Sequence, residues 1–301
     1  MSRDGGKRTR RLRLAGCKRL TSGLAHHRWP VLSADGERLA FAIGDGYEQC
    51  WVVTDRKGRI GRIFEGPADG GASFGKDGSF AFGRKVGNAA EIWFAPTAAA
   101  ASVRLLGGDG KTYQGPALSP DGSTLAFTCD EEGRGNLTLQ LLDIASGKRR
   151  RITSDGYGSA GRPAFAATGE LYFDGATQGR LGIYRLDVGH SEPVRVSPVD
   201  VSYRRPAPLG HGLMLAEKHV EGKGAVRLVL LNEATGQETK LSDLEEAREP
   251  SCVVIEGKAK VAFVALAEAS DGEPRRFDVH TARLRGLPER DVALTSTESE
   301  A

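Results

Sequence analysis

Five short segments of this chain, at comparable spacing, carry arginine, an aromatic or amide side chain, or both. They read His26-His27-Arg28-Trp29, Lys111-Thr112-Tyr113-Gln114, Ser159-Ala160-Gly161-Arg162, Val201-Ser202-Tyr203-Arg204-Arg205 and Ala247-Arg248-Glu249. A guanidinium meets a carboxylate through two parallel hydrogen bonds, and Tyr or Trp adds rigid stacking area. Arg28, Trp29, Tyr113, Gln114, Arg162, Tyr203, Arg204, Arg205 and Arg248 therefore form the candidate binding set, and an acidic group of a protein or peptide is the ligand they suit. The alternative is that these are exposed loop residues with no ligand.

Other chemistry is poorly supported. A nucleophile elbow needs Gly-x-Ser-x-Gly, and Tyr157-Gly158-Ser159-Ala160-Gly161 begins with Tyr. Gly108-Asp109-Gly110-Lys111-Thr112 ends like a phosphate loop, but Leu105 stands where the first Gly is required. His26 and His27 are adjacent and diverge in extended backbone, while His190, His211, His219 and His280 are scattered, so a zinc site is not expected. Asp45-Gly46, Asp130-Glu131-Glu132 and Asp271-Gly272-Glu273 lack the alternation of calcium ligands and read as solvated turns. No catalytic residue, metal site or cofactor is assigned. Two basic runs, Lys7 to Arg13 and Arg149 to Arg151, lack the stacking aromatics of a nucleic-acid path and read as charged strand edges, which resist pairing with other chains.

The elements that must position the arginines form a repeat. Pro30, Ala72, Pro116, Pro163, Pro206 and Pro250 are spaced by 42, 44, 47, 43 and 44 residues, the size of a four-stranded propeller blade. The best-kept unit is Gly115 to Phe127, GPALSPDGSTLAF, a strand, a Ser-Pro-Asp-Gly turn and a second strand. VLSADGERLAF from Val31, ASFGKDGSFAF from Ala72 and AFAATGELYF from Ala164 repeat it, whereas the units at Pro206 and Pro250 keep only a Gly turn and the following apolar run. Third strands are expected over 48–54, 91–95, 136–143, 182–187, 225–232 and 275–280, each leading to a fourth strand that ends in a small polar residue. Each arginine segment then lies in the loop just before an innermost strand, at one mouth of a central channel.

Cys17-Lys18-Arg19-Leu20-Thr21-Ser22 resembles the outer strand Arg150-Arg151-Ile152-Thr153-Ser154, so residues 10–22 are a candidate outer strand for the last blade; Arg283 to Leu287 competes for the same place. The expected division is a basic arm over 1–22, a propeller over 23–287 and a disordered tail over 288–301.

The SPDG turn followed by a Leu-Ala-Phe strand, repeated at this period, resembles the TolB-like propellers built from WD40-like Pro-Asp repeats. The resemblance implies an all-β, six-bladed propeller of four-stranded antiparallel blades. The same repeats occur in the propeller domains of prolyl oligopeptidases, whose catalytic α/β-hydrolase domain has no counterpart in these 301 residues. Fold does not by itself fix function.

A net charge of +3 identifies no partner. Cys17, Cys50, Cys129 and Cys252 lie far apart and are expected as free thiols. The basic N-terminus lacks the apolar stretch of a signal peptide, and no run approaches the ~20 apolar residues of a membrane span. The chain is accordingly read as a cytoplasmic, non-enzymatic scaffold that binds a protein or acidic peptide at its channel mouth. A hydrolase or lyase acting in the central pocket is the alternative.

Overall fold

The computed structural model describes residues 12–287 except 24, 45–48, 98–99, 155–158, 178, 188–189, 221–223, 245 and 268–274. The run Lys7 to Arg11, the acidic turns at 45–46 and 271–273, Tyr157-Gly158 and the tail 288–301 lie outside the described residues.

The described chain is all strand, twenty-four in number, in six four-stranded antiparallel sheets. A first strand, β1 (Arg13–Arg19), precedes the first blade. Blade 1 is β2 (His26–Leu32), β3 (Leu39–Gly44), β4 (Gln49–Thr54) and β5 (Ile60–Phe64). Blade 2 is β6 (Ala68–Phe74), β7 (Phe80–Val86), β8 (Ala89–Ala95) and β9 (Val103–Leu106). Blade 3 is β10 (Thr112–Leu118), β11 (Thr124–Asp130), β12 (Leu137–Asp143) and β13 (Arg149–Arg151). Blade 4 is β14 (Ala160–Phe165), β15 (Leu171–Thr177), β16 (Arg180–Leu186) and β17 (Val194–Arg195). Blade 5 is β18 (Tyr203–Gly210), β19 (Leu213–His219), β20 (Val226–Asn232) and β21 (Glu238–Lys240). Blade 6 is β22 (Arg248–Ile255), β23 (Lys258–Leu266), β24 (Phe277–Arg285) and, as its outer strand, β1. Each innermost strand (β2, β6, β10, β14, β18, β22) touches the innermost strands of both neighbouring blades, which closes the propeller around a channel.

Turn chemistry explains the hairpins. In blade 3 the Gly122 amide donates to Ser119 O at 2.9 Å, Gly122 takes φ 74°, and the Asp121 carboxylate accepts from Ser119 Oγ at 2.6 Å and from the Ser123 amide at 3.1 Å. Blades 5 and 6 use another solution. His211-Gly212 and Glu256-Gly257 are two-residue loops with positive φ at both positions, the type I′ pattern that matches strand twist. These units replaced the SPDG turn with a shorter one.

The second and third strands fill the space between blades. Six apolar clusters sit one at each blade interface, among them Trp51 with Phe80 and Phe82 between blades 1 and 2, and Leu39, Phe41 and Val52 with Val264 and Val279 between blades 1 and 6. The last of these shows that the closing interface is packed like the others.

The strand that closes the ring is β1. It pairs antiparallel with β24, with Arg13 opposite Arg285 and Arg19 opposite His280. Arg283 to Arg285 continue the third strand of blade 6 and do not form a fourth. The likeness between 17–22 and 150–154 has a physical basis. Thr21 Oγ1 accepts the Val279 amide at 2.9 Å, as Thr153 Oγ1 accepts the Leu139 amide at 2.9 Å and Ser197 Oγ the Ile183 amide at 3.0 Å. Asp278, buried at 2% exposure, adds a second fastening: it accepts from Thr21 Oγ1 at 3.1 Å, meets Arg19 at 2.5 Å and lies 3.2 Å from His27 Nδ1 of blade 1. Burial keeps the His27 pKa below its ordinary value despite this carboxylate. No described helix is long and apolar enough to cross a membrane.

Candidate functional site

The arginine segments lie inside the innermost strands, not in loops before them. These strands start two to four residues ahead of the Pro30, Ala72, Pro116, Pro163, Pro206 and Pro250 positions. The reason is a β-bulge shared by all six blades. Register slips between Arg28 and Val31, Ala68 and Ala72, Gln114 and Ala117, Gly161 and Ala164, Arg204 and Ala207, and Arg248 and Ser251. The residue immediately before each of those six positions has positive φ: Trp29 52°, Gly71 110°, Gly115 61°, Arg162 45°, Arg205 52° and Glu249 56°. Four of these are not glycine, and an L-residue in that region costs about 1–2 kcal/mol. A bulge also re-aims the side chains around it.

Buried carboxylates hold the strained backbone. Trp29 N donates to Glu249 Oε2 at 2.6 Å, Glu249 N to Glu217 Oε1 at 2.6 Å, and Arg205 N to Asp174 Oδ2 at 2.8 Å. Each bond crosses from one blade to the carboxylate of the blade before it in the ring. Asp174, Glu217 and Glu249 are 2%, 3% and 4% exposed. The same carboxylates bind guanidiniums. Arg205 Nη1 reaches Glu217 Oε1 at 3.0 Å and Glu249 Oε1 at 2.7 Å, and Arg28 Nε donates to Glu249 Oε1 at 2.8 Å. Burial alone would raise the Glu249 pKa, but Arg205, Arg28 and the Trp29 amide bring it below the usual carboxylate range. Burial alone would lower the Arg205 pKa, and Glu217 and Glu249 reverse that.

The other three arginines are less well matched. Arg162 donates to Gly70 O at 3.0 Å, and burial, aided by the charge of Arg205, pushes its pKa down to about 10. Arg248 pairs with Glu246 and lies 4.8 Å from the centre of the Phe277 ring, and its pKa is lowered by burial and by Arg28 and Arg205. The Nε of Arg204 is buried without a hydrogen-bond partner.

The structure thus gathers Arg28, Arg162, Arg204, Arg205 and Arg248 from blades 1, 4, 5 and 6 around one stretch of the channel. It does not bring the tyrosines there. Tyr113 and Tyr203, 0% and 1% exposed, turn into the interblade cores, where their hydroxyls donate to Asp109 at 2.6 Å and Glu238 at 2.9 Å. They stand three residues ahead of the Pro116 and Pro206 positions, whereas the arginines stand one or two ahead; alternation puts the residue two ahead on the opposite face, and the bulge with its positive φ re-aims the residue one ahead. Trp29 packs on Trp51 at 6.0 Å between centroids. Gln114 lies beside Gly70, with Nε2 3.5 Å from Asp69 Oδ1. Burial raises the Asp69 pKa. In the basic run of β13, Arg149 donates to the Tyr113 hydroxyl at 3.2 Å and so supports the core as well as the edge. Among the described residues, no three His, Cys, Asp or Glu side chains converge as metal ligands.

Asp174 and Glu217 were not among the candidates from sequence. Their signal is a charge inside an apolar second strand, LYFDGAT and LMLAEKH. The fit around Asp174 is close, because a Cβ at Gly161 would stand 2.5 Å from Asp174 Oδ1. Gly161→Ala therefore displaces the carboxylate from the Arg205 amide and is expected to cost roughly 1–3 kcal/mol. Thermal unfolding checks this; an unchanged melting temperature would show that Asp174 has room to move.

Comparison with known proteins gives no match to any family model and none to a curated protein. Solved structures do match. TolB from Acinetobacter baumannii superposes with a TM-score of 0.64 at 20% identity, over 77% of this chain and 58% of that one. This chain therefore spans little more than half the length of that TolB. The putative TolB from Agrobacterium tumefaciens gives 0.66 at 17% identity, over 87% of this chain and 92% of that one. An oligogalacturonate lyase in complex with manganese gives 0.57 at 10% identity, over 91% and 96%. Such identities speak to architecture alone. With six blades and four antiparallel strands in each, the chain is a six-bladed β-propeller whose fold is similar to that of the TolB structures.

Proposed function

We propose that this propeller is a non-enzymatic binding module that takes an acidic segment of a protein or peptide at the channel end where the innermost strands begin. The observation that carries the reading is the gathering of arginines from four blades, with Arg204 Nε unpartnered and Arg162 bonded to a carbonyl. Well-formed Arg–carboxylate contacts in such a half-buried setting contribute roughly 1.5–3 kcal/mol each. A hydrolase or lyase in the central pocket is the alternative. It has weaker support, because Arg28, Arg205, Glu217 and Glu249 are bound to one another. Arg28 and Arg205 also hold the blades together, so they are poor choices for a binding test.

The test is calorimetric titration of an N-acetylated, C-amidated hexa-aspartate peptide into the wild-type protein and into Arg204→Gln/Arg248→Gln. The double variant is expected to bind at least about tenfold more weakly. Its melting temperature should stay within a few degrees of wild type, since neither side chain bonds a carboxylate of another blade. A wild-type protein that ignores the peptide, or equal affinities, would overturn the proposal.

A further inference from the structure

Five buried nitrogens in blades 1, 5 and 6 have no hydrogen-bond partner: Trp29 Nε1, Arg204 Nε, Arg205 Nε, His219 Nε2 and Arg248 Nε. The first, second, third and fifth are obligate donors, and His219 Nε2 is one in its Nε2–H tautomer and in every state with the ring protonated. Buried polar groups are normally paired, so a concentration of unmet donors in one place asks for an acceptor. Arg205 already holds Glu249 and Glu217, Trp29 packs on Trp51 between blades 1 and 2, and Arg248 pairs with Glu246 through Nη2 while its Nε stays unmet. That leaves Arg204 Nε, Arg248 Nε and His219 Nε2.

We propose that Arg204, His219 and Arg248 form a carboxylate subsite in which His219 takes up a proton as the acidic group arrives. This rests on the acidic-ligand reading above and adds to it the place of contact and a proton linkage.

Local structure puts the three together. Arg204 opens β18 next to Tyr203, and its Cα pairs with Glu217 across the hairpin to β19. His219 ends β19 two residues beyond Glu217, and its amide donates to Ser202 O at 3.0 Å, which ties it to the same end of the channel. Arg248 opens β22 in the adjoining blade. The charged groups that act on His219 are Glu217, Arg204 and Arg205 of its own blade and Arg248 of blade 6. On β20, its partner Val226 is apolar and the neighbouring Arg227 is exposed.

In the free protein, burial lowers the His219 pKa first, and Arg204, Arg248 and Arg205 lower it further against the pull of Glu217. The ring is therefore neutral near pH 7. An arriving carboxylate offsets the guanidinium charge and accepts from Nε2–H, so the pKa of the complex lies above that of the free protein. The proton count on binding is positive between those two values. Affinity must therefore rise as pH falls through that interval and level off on either side.

The test uses the full chain and the same hexa-aspartate peptide, which stays ionised at pH 5.5. The His219 Cε1–H resonance is titrated with pH by NMR, without peptide and at saturation, and the dissociation constant is measured at pH 5.5 and pH 8. Saturation is expected to raise the His219 midpoint by about one pH unit or more, and binding should be at least about fivefold tighter at pH 5.5. His219→Gln should still bind and lose the pH dependence. A His219 midpoint that the bound peptide leaves in place would overturn this inference and leave the acidic-ligand proposal standing. Absence of peptide binding at both pH values would overturn both.

Discussion

Glu249→Ala is expected to lower the melting temperature by roughly 10 °C. The carboxylate is 3% exposed and binds Arg28 and Arg205, while its other oxygen accepts the Trp29 amide. Removing one partner of a buried pair leaves the remaining charges desolvated and costs about 3–5 kcal/mol. At about 2–4 °C per kcal/mol for a domain of this order of size, that is a large shift. The substitution also frees a backbone held at positive φ on Trp29, so that the strain there is no longer compensated. Glu249→Gln should fall between wild type and Glu249→Ala, since an amide oxygen still accepts from Trp29 but does not offset the guanidiniums. The folded-state pKa of Glu249 lies below the ordinary value, so its contribution is fully present above that ordinary value and is lost as pH falls through the lower folded one. The gap between wild type and variant should therefore close in acid. Thermal unfolding across pH checks both parts, and a variant within 2–3 °C of wild type at neutral pH would refute the account.

Deletion of residues 1–22 is expected to produce a loss of comparable size. It removes β1, leaves β24 as an open edge, and takes away Leu12 and Leu14, which pack against the core between blades 5 and 6. It also deprives the buried Asp278 of Arg19 and Thr21 and leaves it with His27 alone. The sum is several kcal/mol, a fall of about 10 °C or more. An exposed strand edge should in addition promote association of the truncated protein. Thermal unfolding and light scattering measure the two effects; a truncated protein with wild-type melting temperature would show that the ring holds without its outer strand.

The fold was legible because its punctuation is chemical. Asp121-Gly122 and its equivalents mark hairpins by a side-chain acceptor and a positive φ, and they recur at one blade's length. Units five and six looked degraded because His211-Gly212 and Glu256-Gly257 solve the same turn with two residues. The site was legible in composition and illegible in phase. Arginine at Arg28, Arg162, Arg204, Arg205 and Arg248 marked the right stretch of chain. The bulge, however, adds one residue to the inner strands of five blades and two to that of blade 2, so Tyr113 and Tyr203 went to the core while the arginines stayed at the channel. Asp174 serves the amide of Arg205 and Glu217 that of Glu249, each from the blade before, and no local pattern states which blades will touch.

Closure by β1 also sets a timetable. Arg13, near the start of the chain, pairs with Arg285, near its end, so the first described strand to be made is the last to find its partner. At about 5–20 residues per second, roughly 15–55 s of synthesis separate the two. During that interval the strand must stay unpaired beside five growing blades rich in apolar edges. Its sequence, RLAGCKR, is suited to the wait: three cations and a central glycine weaken β pairing with the wrong neighbour. The charge on this strand is thus a folding precaution as much as a feature of the finished surface, and completion of the ring waits until the third strand of blade 6 has been made.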